Sequence, residues 1–329
     1  MKTIIYTCPY VPAEWIAAHG LQPDRIIPPT AKAAGPFARI EGICPYVCGF
    51  VNEVLTNQKA SGVVVTTVCD QMRRAFDIIK SHCKIPAFLM NVPNTWENIA
   101  AQKLYLDEIT RLGRFLCQLG AKTPTNDVLA ATMLEYDAVR TSIKAAKGYL
   151  TSRQYSQAIA EFGRTGKFNS SNDIANSELL TGGIPLAILG GPLLREDLEI
   201  FDEVENAGGR IVLDATETGQ RRMCAAFDRR RLRDEPLLEL CNAYFGDIPD
   251  ASRRPNSRLY SWLKYQLAAE GVRGIIFLRY VWCDIWHAEL YRLKQCTSLP
   301  VLDFDISGDE QTLSIRTKQR IYAFLEMLQ

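Results

Sequence analysis

The sequence predicts an α/β protein of two parallel-sheet domains, the first carrying a helical insertion. Three observations carry this expectation. Residues 63–68 form a continuous β-branched run that reads as a strand buried on both faces, and from Gln71 onward Met72, Ala75, Phe76, Ile78 and Ile79 recur at helical spacing. The same succession returns at 272–281, an apolar run broken by Arg273 and Arg279, followed by Ile285, Leu290 and Leu293 in helical rhythm. Between the two lies a stretch with no strand signal, in which Leu104, Leu106, Ile109, Leu112, Phe115, Leu116 and Leu119 make one apolar stripe ending at Gly120.

In chain order, residues 1–95 alternate strand signals at 3–7, 25–27, 62–68 and 85–90 with helical signals near 13–19, 45–57 and 70–81. Such alternation argues for a parallel sheet flanked by helices. A helical excursion covers about 96–160, with Thr125 capping a helix that runs to about 149. The tract 165–183 is polar and rich in Ser, Asn and Gly, so the domain boundary is expected there, dividing the chain into 1–170 and 171–329. The second half should hold strands at 185–189, 210–214, 274–281 and 300–304. Its helices should lie around 195–207, 220–227, 234–244, 256–270, 284–295 and 312–328.

A chain of 329 residues exceeds the usual size of a single core, and 47% hydrophobic residues suffice for two. The formal charge of +1 leaves no electrostatic footprint for nucleic acid or an anionic membrane. No apolar run approaches a membrane span, and residues 1–7 lack the features of a signal peptide, so a cytoplasmic protein is expected. In that compartment ten cysteines are expected as buried thiols or metal ligands rather than disulfides.

Position separates the two uses. Cys69 and Cys283 each end a strand, each is followed by Asp, and each precedes a helix; Cys44 is followed by Pro45 at a first helical position, and Cys8 ends the apolar start of the chain. Ligands bind at the carboxyl ends of strands in open α/β sheets, and a helix N-terminus biases a thiol towards thiolate. Cys8, Cys44, Cys69 and Cys283 are therefore the candidate metal ligands, and they could converge only in the cleft between the domains. Cysteine-only ligation at distant spacing suits an iron–sulfur cluster or a structural zinc, and the absence of a Cys-x-x-Cys pair favours the cluster over zinc; buried, unligated thiols are the alternative. Cys83, Cys117, Cys224, Cys241 and Cys296 sit in amphipathic stretches as core residues, while Cys48 shares a helix face with Cys44 and is an additional candidate. Of three histidines, His287 lies one turn past Cys283 and His19 reads as a helix C-terminal cap. Gly190-Gly191-Pro192 reads as a tight turn or a phosphate-binding helix entry. No P-loop is present, so intrinsic ATP hydrolysis is not expected.

The segments Cys8-Pro-Tyr-Val-Pro-Ala-Glu-Trp-Ile-Ala-Ala-His-Gly, Cys44-Pro-Tyr-Val-Cys-Gly, Cys69-Asp, Glu135-Tyr-Asp-Ala-Val-Arg140, Cys283-Asp and Arg320-Ile-Tyr-Ala-Phe-Leu-Glu together resemble the 2-hydroxyacyl-CoA dehydratase and benzoyl-CoA reductase family, including its double-cubane-cluster branch. The resemblance spans nearly the whole chain. It implies two flavodoxin-like, Rossmann-like domains with a 4Fe-4S cluster in the interdomain cleft, held by Cys44, Cys69 and Cys283, with Cys8 matching a further ligand of the double-cubane branch. It also implies low-potential electrons from a separate ATP-dependent activator protein, a homologous subunit or a second copy as partner, and a small-molecule substrate such as a CoA thioester. In the dehydratases one electron converts the thioester to a ketyl radical anion that expels the neighbouring hydroxyl. Glu217-Thr-Gly-Gln-Arg and Ile248-Pro-Asp250 stand where the double-cubane branch has two more cysteines, which implies a single cubane. The alternatives are an electron-relay or scaffold subunit beside a catalytic homologue, a double-cubane-type small-molecule reductase, and a zinc-stabilised or metal-free binding protein.

Overall fold

A computed structural model describes residues 1–31, 42–57, 59–168, 179–307 and 313–329. Two four-stranded sheets, all parallel, organise the chain. The first has β1 (Thr3–Tyr6), β2 (Gln22–Arg25), β3 (Ala60–Thr66) and β4 (Ala87–Met90) in the order β2-β1-β3-β4. The second has β5 (Ile184–Gly190), β6 (Gly209–Ala215), β7 (Gly274–Tyr280) and β8 (Val301–Ile306) in the order β6-β5-β7-β8. The second sheet thus repeats the topology of the first. In each, the chain direction across the sheet reverses beside the first strand, between β1 and β3 and between β5 and β7, which is where parallel sheets open a crevice for a ligand.

The central strands read clearly because both their faces are buried. Val64 of β3 packs into one apolar core while Val63 and Val65 pack into another, and in β7 Ile275 and Phe277 face one core while Ile276 and Leu278 face a second. One of these cores is shared: Ile5, Val63 and Val65 of the first sheet lie in the same cluster as Leu186, Ile188 and Ile276 of the other.

The helices are α1 (Ala13–Ala18), α2 (Pro45–Thr56), α3 (Asp70–His82), α4 (Ile99–Gln118), α5 (Asn126–Ala146), α6 (Ser152–Thr165), α7 (Glu199–Asn206), α8 (Arg229–Asp234), α9 (Pro236–Cys241), α10 (Ser257–Ala269), α11 (Asp284–Cys296) and α12 (Ile315–Met327). Local chemistry sets the ends of the inserted helices. Asn98 accepts from the Ala101 amide at the start of α4, Thr125 from Val128 at α5, and Thr151 and Gln154 form a reciprocal capping box at α6, which Gly166 closes in the left-handed conformation. None of the helices among the described residues is long and apolar enough to cross a membrane.

The structure corrects two sequence expectations. The strand expected at 25–27 lies at Gln22–Arg25, because β2 is an edge strand that pairs only with β1 and so tolerates Pro23 opposite Ile4. The helix expected at 220–227 is a single 3-10 turn, Gln220–Arg222. There Arg221 is drawn inward, donating to the carbonyls of Ala215, Pro249 and Gly190 and to the Asp250 carboxylate, which holds the backbone out of helical register. Beyond it α8 starts one residue after Asp228, whose carboxylate accepts from the amides of Arg230 and Arg231.

The expected boundary at 170 and 171 lies outside the described residues. Residues 224–248 of the later half sit in the core of the first sheet. Cys224, Phe227, Leu240, Phe245 and Ile248 share an apolar cluster with Ile4, Val64 and the buried faces of α4 and α5, and Phe245 stacks on Tyr105 at 4.6 Å.

Candidate functional site

The four cysteines singled out in the sequence line one cavity of about 260 Å³ at the strand ends of both sheets. Cys8 follows β1, Cys69 follows β3 and Cys283 follows β7, so they flank the two reversal points; Cys44 enters from the segment after β2. Cys44, Cys69 and Cys283 each occupy the position just before the first turn of a helix, of α2, α3 and α11 respectively. A Ser, Thr, Asp or Asn there would normally cap the helix; no side-chain cap bond forms at any of the three. Pro45 opens α2 without losing a hydrogen bond. The turns are tied to one another: Gln71, in the first turn of α3, accepts from the Cys44 amide at 3.1 Å and donates to the Gly42 carbonyl at 3.3 Å.

The thiolate bias expected at a helix N-terminus is overturned by burial. Desolvation pushes the Cys69 thiol up to about 11 against the pull of the Met72 and Gln71 amides, and Cys283 to about 12 against that of Trp286. Cys8 is pushed to about 12, first by burial and then by the Glu217 charge, and Cys44 is raised well above its ordinary value by burial and by Cys283. With values this high, all four are neutral thiols at pH 7. A cationic partner is what would draw off their protons, with the helix amides already directed at three of the sulfurs.

Two carboxylates complete the wall. Glu217 and Asp250 line the same cavity. Burial and the neighbouring Asp250 charge push Glu217 up to about 7, although Arg25 and Arg221 pull it down. Asp250 is desolvated as well, yet the Arg221 charge and hydrogen bond outweigh burial and hold it below the usual carboxylate range. Arg221 in turn lies 5.0 Å over the Trp286 ring. At the mouth stands Trp282, 54% exposed and with φ of 68°, the one non-glycine residue in the left-handed region among the described residues. Nothing in the sequence pattern marked Trp282; its signal is backbone strain, visible only in the fold.

The remaining candidates fall elsewhere. Cys48 is buried on α2 outside the cavity wall. His287 is 41% exposed and lies 3.6 Å from Asp305, away from the thiols. The His19 ring is buried at the end of α1, its Nδ1 2.7 Å from the Trp15 carbonyl, a structural cap as expected. Gly190 and Gly191 serve close packing: a Cβ on Gly190 would stand 2.0 Å from the Leu278 carbonyl oxygen, and one on Gly191 3.2 Å from the Trp286 ring. Among the described residues, no group of three or more His, Cys, Asp or Glu side chains converges closely enough to hold a single metal ion. The thiols line the wall of a cavity rather than meet at a point.

Two parallel sheets of like topology, joined at a cysteine-lined cavity beyond their strand ends, define a two-lobed α/β protein whose site is built by both halves. The chain belongs to the 2-hydroxyglutaryl-CoA dehydratase D-component family, whose family model matches residues 8–328, from the first cavity cysteine to the last helix. The family is named for a dehydratase component, which places the chain among dehydratase-like enzyme components. None of the curated proteins compared with the chain matches it.

Proposed function

We propose that the chain is an iron–sulfur subunit of a 2-hydroxyacyl-CoA dehydratase-type enzyme, binding one 4Fe-4S cluster through Cys44, Cys69 and Cys283. The observation that carries this reading is the gathering of cysteines from four separate turns at one cavity. The donor set fits the group: three thiols precede helix N-termini, and a cavity wall suits a polynuclear centre better than a lone ion. Glu217 and Asp250 are not thiols, which limits the set to a single cubane.

A bound cluster would supply low-potential electron transfer to a substrate thioester. The chain's own residues contribute the rest. Cys44, Cys69 and Cys283 anchor, the tie from Gln71 to Cys44 keeps two of the turns in register, and Glu217, poised between its protonated and ionised forms near neutral pH, gives or takes a proton inside the cavity. The electrons come from an ATP-dependent activator protein, as the resemblance to the dehydratases implies, and the chain itself, with no P-loop, does not supply the ATP hydrolysis. A homologous subunit or a second copy completes the enzyme, and the site works in the cytoplasm.

Cys8 favours a second reading. It lines the same cavity, and a fourth thiolate would close the cluster to substrate and leave an electron relay. Serine variants of the four cysteines, purified anaerobically and assayed for iron, sulfide and the electron paramagnetic resonance of the reduced protein, separate the two. Loss of the centre in Cys44→Ser, Cys69→Ser and Cys283→Ser with an unchanged spectrum in Cys8→Ser supports the open, catalytic site at about four irons per chain. Equal loss in Cys8→Ser supports the relay, and stoichiometric zinc or about eight irons overturns both.

A further inference from the structure

We propose that the seam between the two halves contains a site for one small monovalent anion of halide size, formed by Arg25, Arg140 and Arg222. The three arginines come from β2, from α5 and from the turn after β6, and they line one cavity of about 20 Å³. That volume is on the order of what one small guest needs.

Each guanidinium brings an unused donor. Nη1 of Arg25, Nε of Arg140 and Nη1 of Arg222 are buried without a hydrogen-bond partner, on side chains that for Arg25 and Arg140 are 1% and 4% exposed. The other nitrogens of the first two are occupied. Arg25 donates through Nε to the Thr7 carbonyl and through Nη2 to the Glu217 carbonyl, and Arg140 donates to Glu14 and Asp137. The Arg222 side chain makes no hydrogen bond or ion pair with any described residue.

The local charge has the sign an anion requires. Glu14 and Asp137 face Arg140, and Asp137 is shared with Arg229 at 3.4 Å; Arg25 has only Glu217, at 3.8 Å, and Arg222 has no carboxylate. The rest of the wall is neutral, including Cys224, whose thiol burial pushes up to about 12. A water could accept from these donors without offsetting their charge, whereas an anion does both.

The space is also shaped for Arg222. Gly163, inside α6, has no Cβ where one would stand 2.7 and 2.8 Å from the two terminal nitrogens of Arg222. Glycine is a poor helix residue, and here it leaves room for a guanidinium. Bound between these groups, the anion would fasten the turn at 222–224 to β2 and α5.

The test uses the full-length protein, with its metal centre, under anaerobic conditions. Crystals soaked in sodium bromide should show an anomalous peak among the three guanidinium groups. The melting midpoint should also rise by several degrees in potassium chloride over potassium gluconate at equal ionic strength. Arg222→Met and Gly163→Ala, the second of which displaces the guanidinium and leaves its charge in place, should both abolish the chloride-specific rise. Ordered water without a bromide peak at the site, equal midpoints in the two salts, or a rise retained in both variants overturns the proposal. If neither variant folds, the bromide map of the wild type decides alone.

Discussion

The Arg25 guanidinium and the Glu217 carboxylate stand 3.8 Å apart across the seam between the halves, the arginine side chain 1% exposed and the glutamate 19%. Arg25 also donates to the carbonyls of Thr7 and Glu217, so one side chain ties the end of β1 to the loop after β6. Arg25→Met removes both bonds and leaves the Thr7 and Glu217 carbonyls without this charged donor. The expected loss is about 2–4 kcal/mol in denaturant unfolding of the metal-free protein. A loss below about 0.5 kcal/mol, within the range of an ordinary surface substitution, would show that the pair does not hold the seam.

Glu217 should impose a pH dependence of unusual sign on the metal-free protein. Burial, reinforced by Asp250, lifts its folded-state value from 4.5 to about 7, so the folded protein keeps a proton that the unfolded chain releases. The resulting stabilisation is complete below about pH 4.5 and disappears as pH rises through about 7. Wild type should therefore lose on the order of 1–3 kcal/mol relative to Glu217→Gln between pH 5 and 8. Chemical denaturation at several pH values measures the difference, and a flat difference would count against the raised value.

At Trp282 the backbone, not the indole, should dominate stability. The residue is more than half exposed, so Trp282→Ala and Trp282→Gly lose the same ring contacts, but only glycine is at ease at φ of 68°. Trp282→Gly should be more stable than Trp282→Ala by about 1 kcal/mol. Equal midpoints would mean that the left-handed turn carries no strain.

The passages β3–Cys69–α3 and β7–Cys283–α11 were legible because a strand buried on both faces writes an unbroken apolar run, and a helix after it writes a different period. Cys44 was legible through Pro45. β2 was legible only in part, as a strand at 25–27, since Pro23 and Asp24 have little strand character of their own and only pairing with β1 makes 22–25 a strand. The turn at 220–222 escaped for the opposite reason: its helical signal is real, and the bonds that draw Arg221 inward override it. The protonation of the cavity thiols was misread because a dipole can be inferred from sequence, whereas desolvation depends on what covers the sulfur. Arg25, Arg140 and Arg222, far apart in sequence, carry no local mark of their shared cavity.

The placement of residues 224–248 in the core of the first sheet has a consequence for synthesis. As the chain leaves the ribosome from its N-terminus, β1 to β4 and helices α4 and α5 emerge long before Phe227, Leu240, Phe245 and Ile248, which cover their apolar faces. Until residue 248 is out, the nascent first half presents an open hydrophobic groove, and it is in that interval that a chaperone would have the most to hold.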